Sequence, residues 1–131
     1  MKTSVILSVF LFFLILLNLS CKKEGVGGKS DLSVFVKHHE NLIPNAVVYI
    51  KYGATEFPGH ESQNYDNSAI CGSEGHEAGH TDFKGLKKGF YYLYSVGWDS
   101  TIQMAVSGGI PIVINQKAGE MTVDIPVVEE H

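Results

Sequence analysis

Apolar and polar residues alternate through most of the chain after residue 30. In "DLSVFVKH" (31–38), Leu32, Val34 and Val36 fall on one face, the two-residue period of a strand with one side buried. "AVVYIKY" (46–52) is dense in β-branched and aromatic residues, which suit a pleated surface. "HTDFKGL" (80–86), "FYYLYSVGW" (90–98), "TIQMAV" (101–106), "IPIVIN" (110–115) and "MTVDIPVV" (121–128) read as further strands. In the last of these, Met121, Val123, Ile125 and Val127 share a face. The breaks "NLIPN", "KKG", "SGG" and "QKAGE" carry turn chemistry. No segment of this region has the 3.6-residue apolar stripe of a helix. Seven short strands over about 100 residues predict an all-β, seven-stranded β-sandwich.

The N-terminus follows another pattern. Lys2 precedes an almost continuous apolar run, "VILSVFLFFLILL" (5–17), and "NLSC" ends it. This is the layout of a secretory signal peptide, and the run is shorter than the about 20 apolar residues of a membrane-spanning helix. "LNLSC" resembles the lipobox of bacterial lipoproteins, although Leu17 sits one place further from Cys21 than the usual leucine and Asn18 takes an apolar position. The resemblance implies that residues 1–20 are removed and that Cys21 carries the lipid. Two or more acyl chains suffice for stable membrane attachment. "KKEGVGGKS" (22–30) then reads as a flexible tether, so that residues 21–30 join the lipid to a domain spanning 31–131. Lys22 is not the aspartate that retains enteric lipoproteins at the inner membrane. That likeness implies an outer-membrane location in the cell envelope, with the side it faces left open.

Charge narrows the partners. Loss of Lys2 with the leader turns the net charge of −4 into −5, and the chain has no arginine. An acidic, arginine-free domain is a poor match for nucleic acid, whose phosphates need clustered cations. With Cys21 lipidated, Cys71 is the one remaining thiol, which excludes an intrachain disulfide.

Two segments carry a resemblance for the domain itself. "NLIPNAVVYI" looks like the opening strand pair of transthyretin-like (prealbumin-like) and carboxypeptidase-regulatory-like domains. "GHTDFKGLKKGFYYL" is similar to their second signature, with Gly79, Phe83, Leu86, Gly89, Tyr91 and Leu93 at its marked positions. The likeness covers residues 31–129, and the whole resembles small lipoproteins of the Bacteroidota. It implies an Ig-like or prealbumin-like sandwich that serves as an accessory module rather than a catalyst. It also places Gly79 in a turn, His80 at the start of a strand, and Tyr91 and Leu93 in the core.

Two stretches offer candidate chemistry. "HEAGH" (76–80) has the spacing of a zinc-protease motif, in which a helix sets two His one turn apart and Glu acts as base. Gly75 and Gly79 disfavour that helix by about 1 kcal/mol each, and Ala78 is the only apolar residue between Gly72 and Phe83. A helix with nothing to bury does not form, so a turn leading into a strand is the expectation. The alternative is a metal-binding protein or zinc-dependent hydrolase built from the long polar segment 53–79. That segment holds His60, Glu61, Cys71, Glu74, His76 and Glu77, and His80 follows it at the end of "HEAGH", ligand types suited to zinc or copper. In the second stretch, Phe90, Tyr92, Tyr94, Val96 and Trp98 alternate onto one face of a strand. If Tyr91 and Leu93 point inward, Tyr92, Tyr94 and Trp98 form a candidate binding surface for a protein or glycan. If apolar content decides, that face is instead the core. The sequence is thus read as a non-enzymatic binding or structural module, with no cofactor and no metal assigned.

Overall fold

The structure, a computed structural model, describes residues 23–131. The expected signal peptide and Cys21 lie outside the described residues. The chain is all-β and forms two sheets: β1 (Val26–His38), β2 (Asn41–Leu42), β5 (His80–Leu86) and β8 (Ala118–Pro126) make the first, and β3 (Val47–Tyr52), β4 (Asn67–Ile70), β6 (Gly89–Asp99), β7 (Met104–Ile114) and β9 (Val128–Glu129) make the second. Strand β1 is the spine of the first sheet. One of its edges pairs in parallel with β8, and the other pairs antiparallel with β5 and then β2. The second sheet runs β4-β3-β6-β7-β9, all antiparallel.

The alternating faces meet between the sheets. Leu32, Val34 and Val36 from β1 and Ile125 from β8 pack with Val48, Ile50, Tyr91, Leu93 and Ile114 of the second sheet. Tyr91 and Leu93 face inward, as the transthyretin-like resemblance implies for these two positions. The β6–β7 register runs from Gly89↔Ile114 to Asp99↔Met104 without a shift.

Three local expectations are corrected. First, β1 begins at Val26, inside the stretch read as a flexible tether. Lys29 and Ser30 pair with Ala118 and Gly119, and Ser30 is fully buried. Gly28 is required by close approach, since a Cβ there would overlap the Leu86 carbonyl. Glycines that look like a linker are therefore contact glycines. Second, "SGG" is not a turn, and the two strands expected on either side of it are one strand, β7. A Cβ on Gly108 would strike the Pro126 carbonyl, and Tyr92 lies against Gly109. Third, the polar segment 53–79 contains β4 and two short 3-10 turns, Ser62–Asn64 and Gly75–Glu77.

Cys71 is a core residue, not a loop ligand. It is 2% exposed, and burial pushes its thiol up to about 11. A thiol held neutral and covered is unreactive. With Ellman's reagent at pH 8, Cys71 of the folded protein should react at the rate of unfolding. Fast labelling without denaturant would contradict its placement.

Near the C-terminus the chain changes sheets. Pro126 ends β8, the buried Val127 donates its N–H to the Lys37 carbonyl at 2.9 Å, and β9 then joins β7. This crossing closes one end of the molecule and carries Glu129 to the end of β1.

Candidate functional site

At that end the β1–β2 turn gathers His38, His39, Asp99 and Glu129. His38 is the last residue of β1, and His39 and Glu40 connect it to Asn41. Consecutive side chains on a strand point apart. His39, however, has φ 54, a left-handed conformation that histidine tolerates better than most residues. Its ring therefore lies beside that of His38, with centroids 4.4 Å apart.

Asp99 ends β6 and fixes the His38 ring. Its Oδ1 accepts the Thr101 backbone N–H at 2.9 Å and the Thr101 hydroxyl at 2.6 Å. Its Oδ2 lies 2.7 Å from His38 Nδ1, and both side chains are 4% exposed. Because an ionised carboxylate only accepts, Nδ1 is the donor. The other ring nitrogen, Nε2, is buried without a hydrogen-bond partner. It faces Glu129 Oε1 at 3.4 Å, an ion-pair contact rather than a hydrogen bond. His38, His39 and Glu129 each present a ligand atom within 4.8 Å of one another.

The field here favours positive charge. The Asp99 bond raises the His38 pKa, with Glu129 adding to it and burial opposing. The Thr101 hydroxyl, then His38, pull Asp99 down to about 2. Glu129 is also lowered, first by its own backbone N–H and further by His38. His39 also lines a surface cleft of about 470 Å3 between Lys37, Asp124 and Val128.

The other candidate residues are arranged differently. His76 lies exposed in the 3-10 turn Gly75–Glu77, and His80 opens β5 after Gly79 at φ 70. No helix forms across "HEAGH". Both His80 nitrogens are engaged: Nε2 with Ser33 Oγ at 2.7 Å and Nδ1 with Glu77 at 3.0 Å, while the ring stacks on Phe35. His60 turns to the Tyr94 hydroxyl at 3.1 Å.

The strand face bearing Tyr92 and Tyr94 is the outer one, yet neither ring is open. Phe57 packs on both tyrosines, and Tyr65 stacks on Tyr94 at 5.9 Å. Tyr92 and Tyr94 are 9% and 4% exposed, so the polar segment has an aromatic underside that covers them. Of the three aromatic residues expected to form a binding surface, only Trp98 is exposed. Phe90 and Phe57 are exposed as well, and neither was singled out from the sequence as a surface residue. The His38 cluster was also missed. Its only local signal is the doubled histidine of "KHHE", since Asp99 and Glu129 are 61 and 91 positions away. In the comparisons with known proteins, no family model matches the chain and no curated protein does.

Proposed function

We propose that this chain is a lipid-anchored, non-enzymatic binding module of a bacterial cell envelope, a transthyretin-like sandwich that holds a protein partner on the outer face of its second sheet. The lipobox-like "LNLSC" supports lipid attachment through Cys21, and Lys22 in place of a retention aspartate supports the outer membrane. The observation that carries the binding role is the set of apolar side chains left open around this face. Phe90 and Val113 are a cross-strand pair, 45% and 40% exposed. Trp98 lies on the same face of β6, eight residues on, about 26 Å away at 3.3 Å per residue. Phe57 sits between them, over Tyr92 and Tyr94. A mixed aliphatic and aromatic spread of that length suits a protein surface better than the two or three rings of a sugar subsite.

Photo-crosslinking tests it. A photoreactive side chain placed at Phe90, and separately at Trp98, in the full chain in its own envelope should give one protein adduct of the same mass. The same probe at the exposed Thr122 of the first sheet should not. A glycan adduct, or no adduct specific to the two positions, would defeat the reading.

A further inference from the structure

We propose that His38, His39 and Glu129 bind one divalent transition-metal ion of the zinc class, with Asp99 as the residue that orients His38. The site is independent of the aromatic face and of "HEAGH".

Geometry separates an ion from a shared proton. In the neutral ring, whose Nδ1–H is committed to Asp99, His38 Nε2 is an acceptor and faces a second acceptor, Glu129 Oε1, at 3.4 Å. A proton between imidazole and carboxylate draws them to about 2.7–2.9 Å. Zinc binds nitrogen and oxygen at about 2.0–2.1 Å, so two donors of a tetrahedral ion stand about 3.3 Å apart. The spacing of these two donors matches one edge of a zinc tetrahedron, and a His39 ring nitrogen lies within 4.8 Å of both. A buried nitrogen left without a partner is costly, and an ion in this position satisfies it.

The surroundings repeat the logic of known metal chemistry. A histidine ligand usually donates its second N–H to a carboxylate, which fixes tautomer and ring orientation. Asp99 does this for His38 while its other oxygen is held by Thr101. Two imidazoles and one carboxylate suit zinc or copper, whereas calcium and magnesium want all-oxygen shells. His39 is bent into reach by its left-handed backbone. Strained backbone at a functional position is a recurring feature.

The ion also has a structural consequence. Strand β9 holds to β7 through two residue pairs, Val106↔Glu129 and Ser107↔Val128, and one further bond from the Glu130 N–H to the Ala105 carbonyl at 3.0 Å. A metal bond from Glu129 to β1 fastens the C-terminal segment across the end of the sandwich.

The test is zinc binding to the full, untagged chain in detergent, followed by equilibrium dialysis and by the visible spectrum with Co2+ as reporter. One ion per chain is expected, with the intense absorption of tetrahedral Co2+. His39→Gly keeps the turn conformation, and Glu129→Gln keeps the shape of a partly exposed side chain. Each should weaken binding at least tenfold while the melting curve without metal stays close to wild type. Asp99→Asn should weaken it about 10–100-fold, the usual effect of losing an orienting partner. His76→Ala should change nothing. Absence of stoichiometric zinc, binding that survives both ligand variants, or loss of binding in His76→Ala would each overturn the assignment.

Discussion

Replacing Tyr91 by alanine should destabilise the domain by about 5 kcal/mol, and by phenylalanine about 1–3 kcal/mol. Among the described residues, Tyr91 is the largest fully buried side chain. Truncating a buried aromatic residue costs about 3–5 kcal/mol through lost burial and the cavity left behind. Its hydroxyl adds a second loss. It donates to the Lys87 carbonyl at 2.6 Å and accepts the Gly25 N–H at 2.9 Å. Removing only the oxygen leaves that N–H without its partner, at about 1–3 kcal/mol. Burial also raises the Tyr91 pKa, which keeps the hydroxyl a donor at neutral pH. The N-terminal segment depends on this knot, since Lys87 returns its own N–H to the Gly25 carbonyl at 2.8 Å. Urea unfolding of the two variants should separate the two losses, and hydrogen exchange in Tyr91→Phe should accelerate first at residues 25–30. Equal midpoints for wild type and Tyr91→Phe would mean that the hydroxyl is not structural.

That knot marks where sequence reading stops. The alternation of Leu32, Val34 and Val36 is a local signal of which face is buried, whereas on β6 alternation leaves the choice of face open and the transthyretin-like resemblance alone points Tyr91 and Leu93 inward. The structure places those residues in the core. Glycine is ambiguous in sequence, because freedom and close contact call for the same residue. Gly28 and Gly108 lie against the backbone of strands distant in sequence, Leu86 and Pro126, and nothing near them announces it. The His38 site is illegible for the same reason. Its parts come from the β1–β2 turn, the end of β6 and the C-terminal crossing, and only the sheet topology brings them together. Strand alternation puts Tyr92 and Tyr94 together on one face of β6 without saying which way it points, and their cover is a loop whose own pattern is polar.

Tyr94→Ala should cost about 3–5 kcal/mol, the usual range for a buried aromatic side chain, although Tyr94 lies outside the main core. It is the hub of the outer cluster, with Tyr49, Phe57, His60 and Tyr65 all in ring contact with it. Residues 53–66 are tied to the sheet at their two ends, by the Gly53 N–H to the Phe90 carbonyl at 2.8 Å and the Asp66 N–H to the Ile50 carbonyl at 2.9 Å, and between those ends they pack onto these rings. Limited proteolysis should cut Tyr94→Ala within 53–66, whereas Leu93→Ala, equally destabilised from the inner face, should be cut after global unfolding. The cluster also sets an alkaline limit. Burial, with Tyr94 and Tyr92 adding, pushes Tyr65 up to about 12 from 10.0. A hydroxyl whose ionisation is suppressed on folding contributes stability that is fully present below pH 10 and is lost as pH rises toward 12. Wild type should therefore weaken across that window, and Tyr65→Phe should weaken less. If Tyr94→Ala keeps the loop intact against protease, residues 53–66 are held by something other than the rings beneath them, and Phe57 ceases to be a fixed part of the proposed protein-binding face.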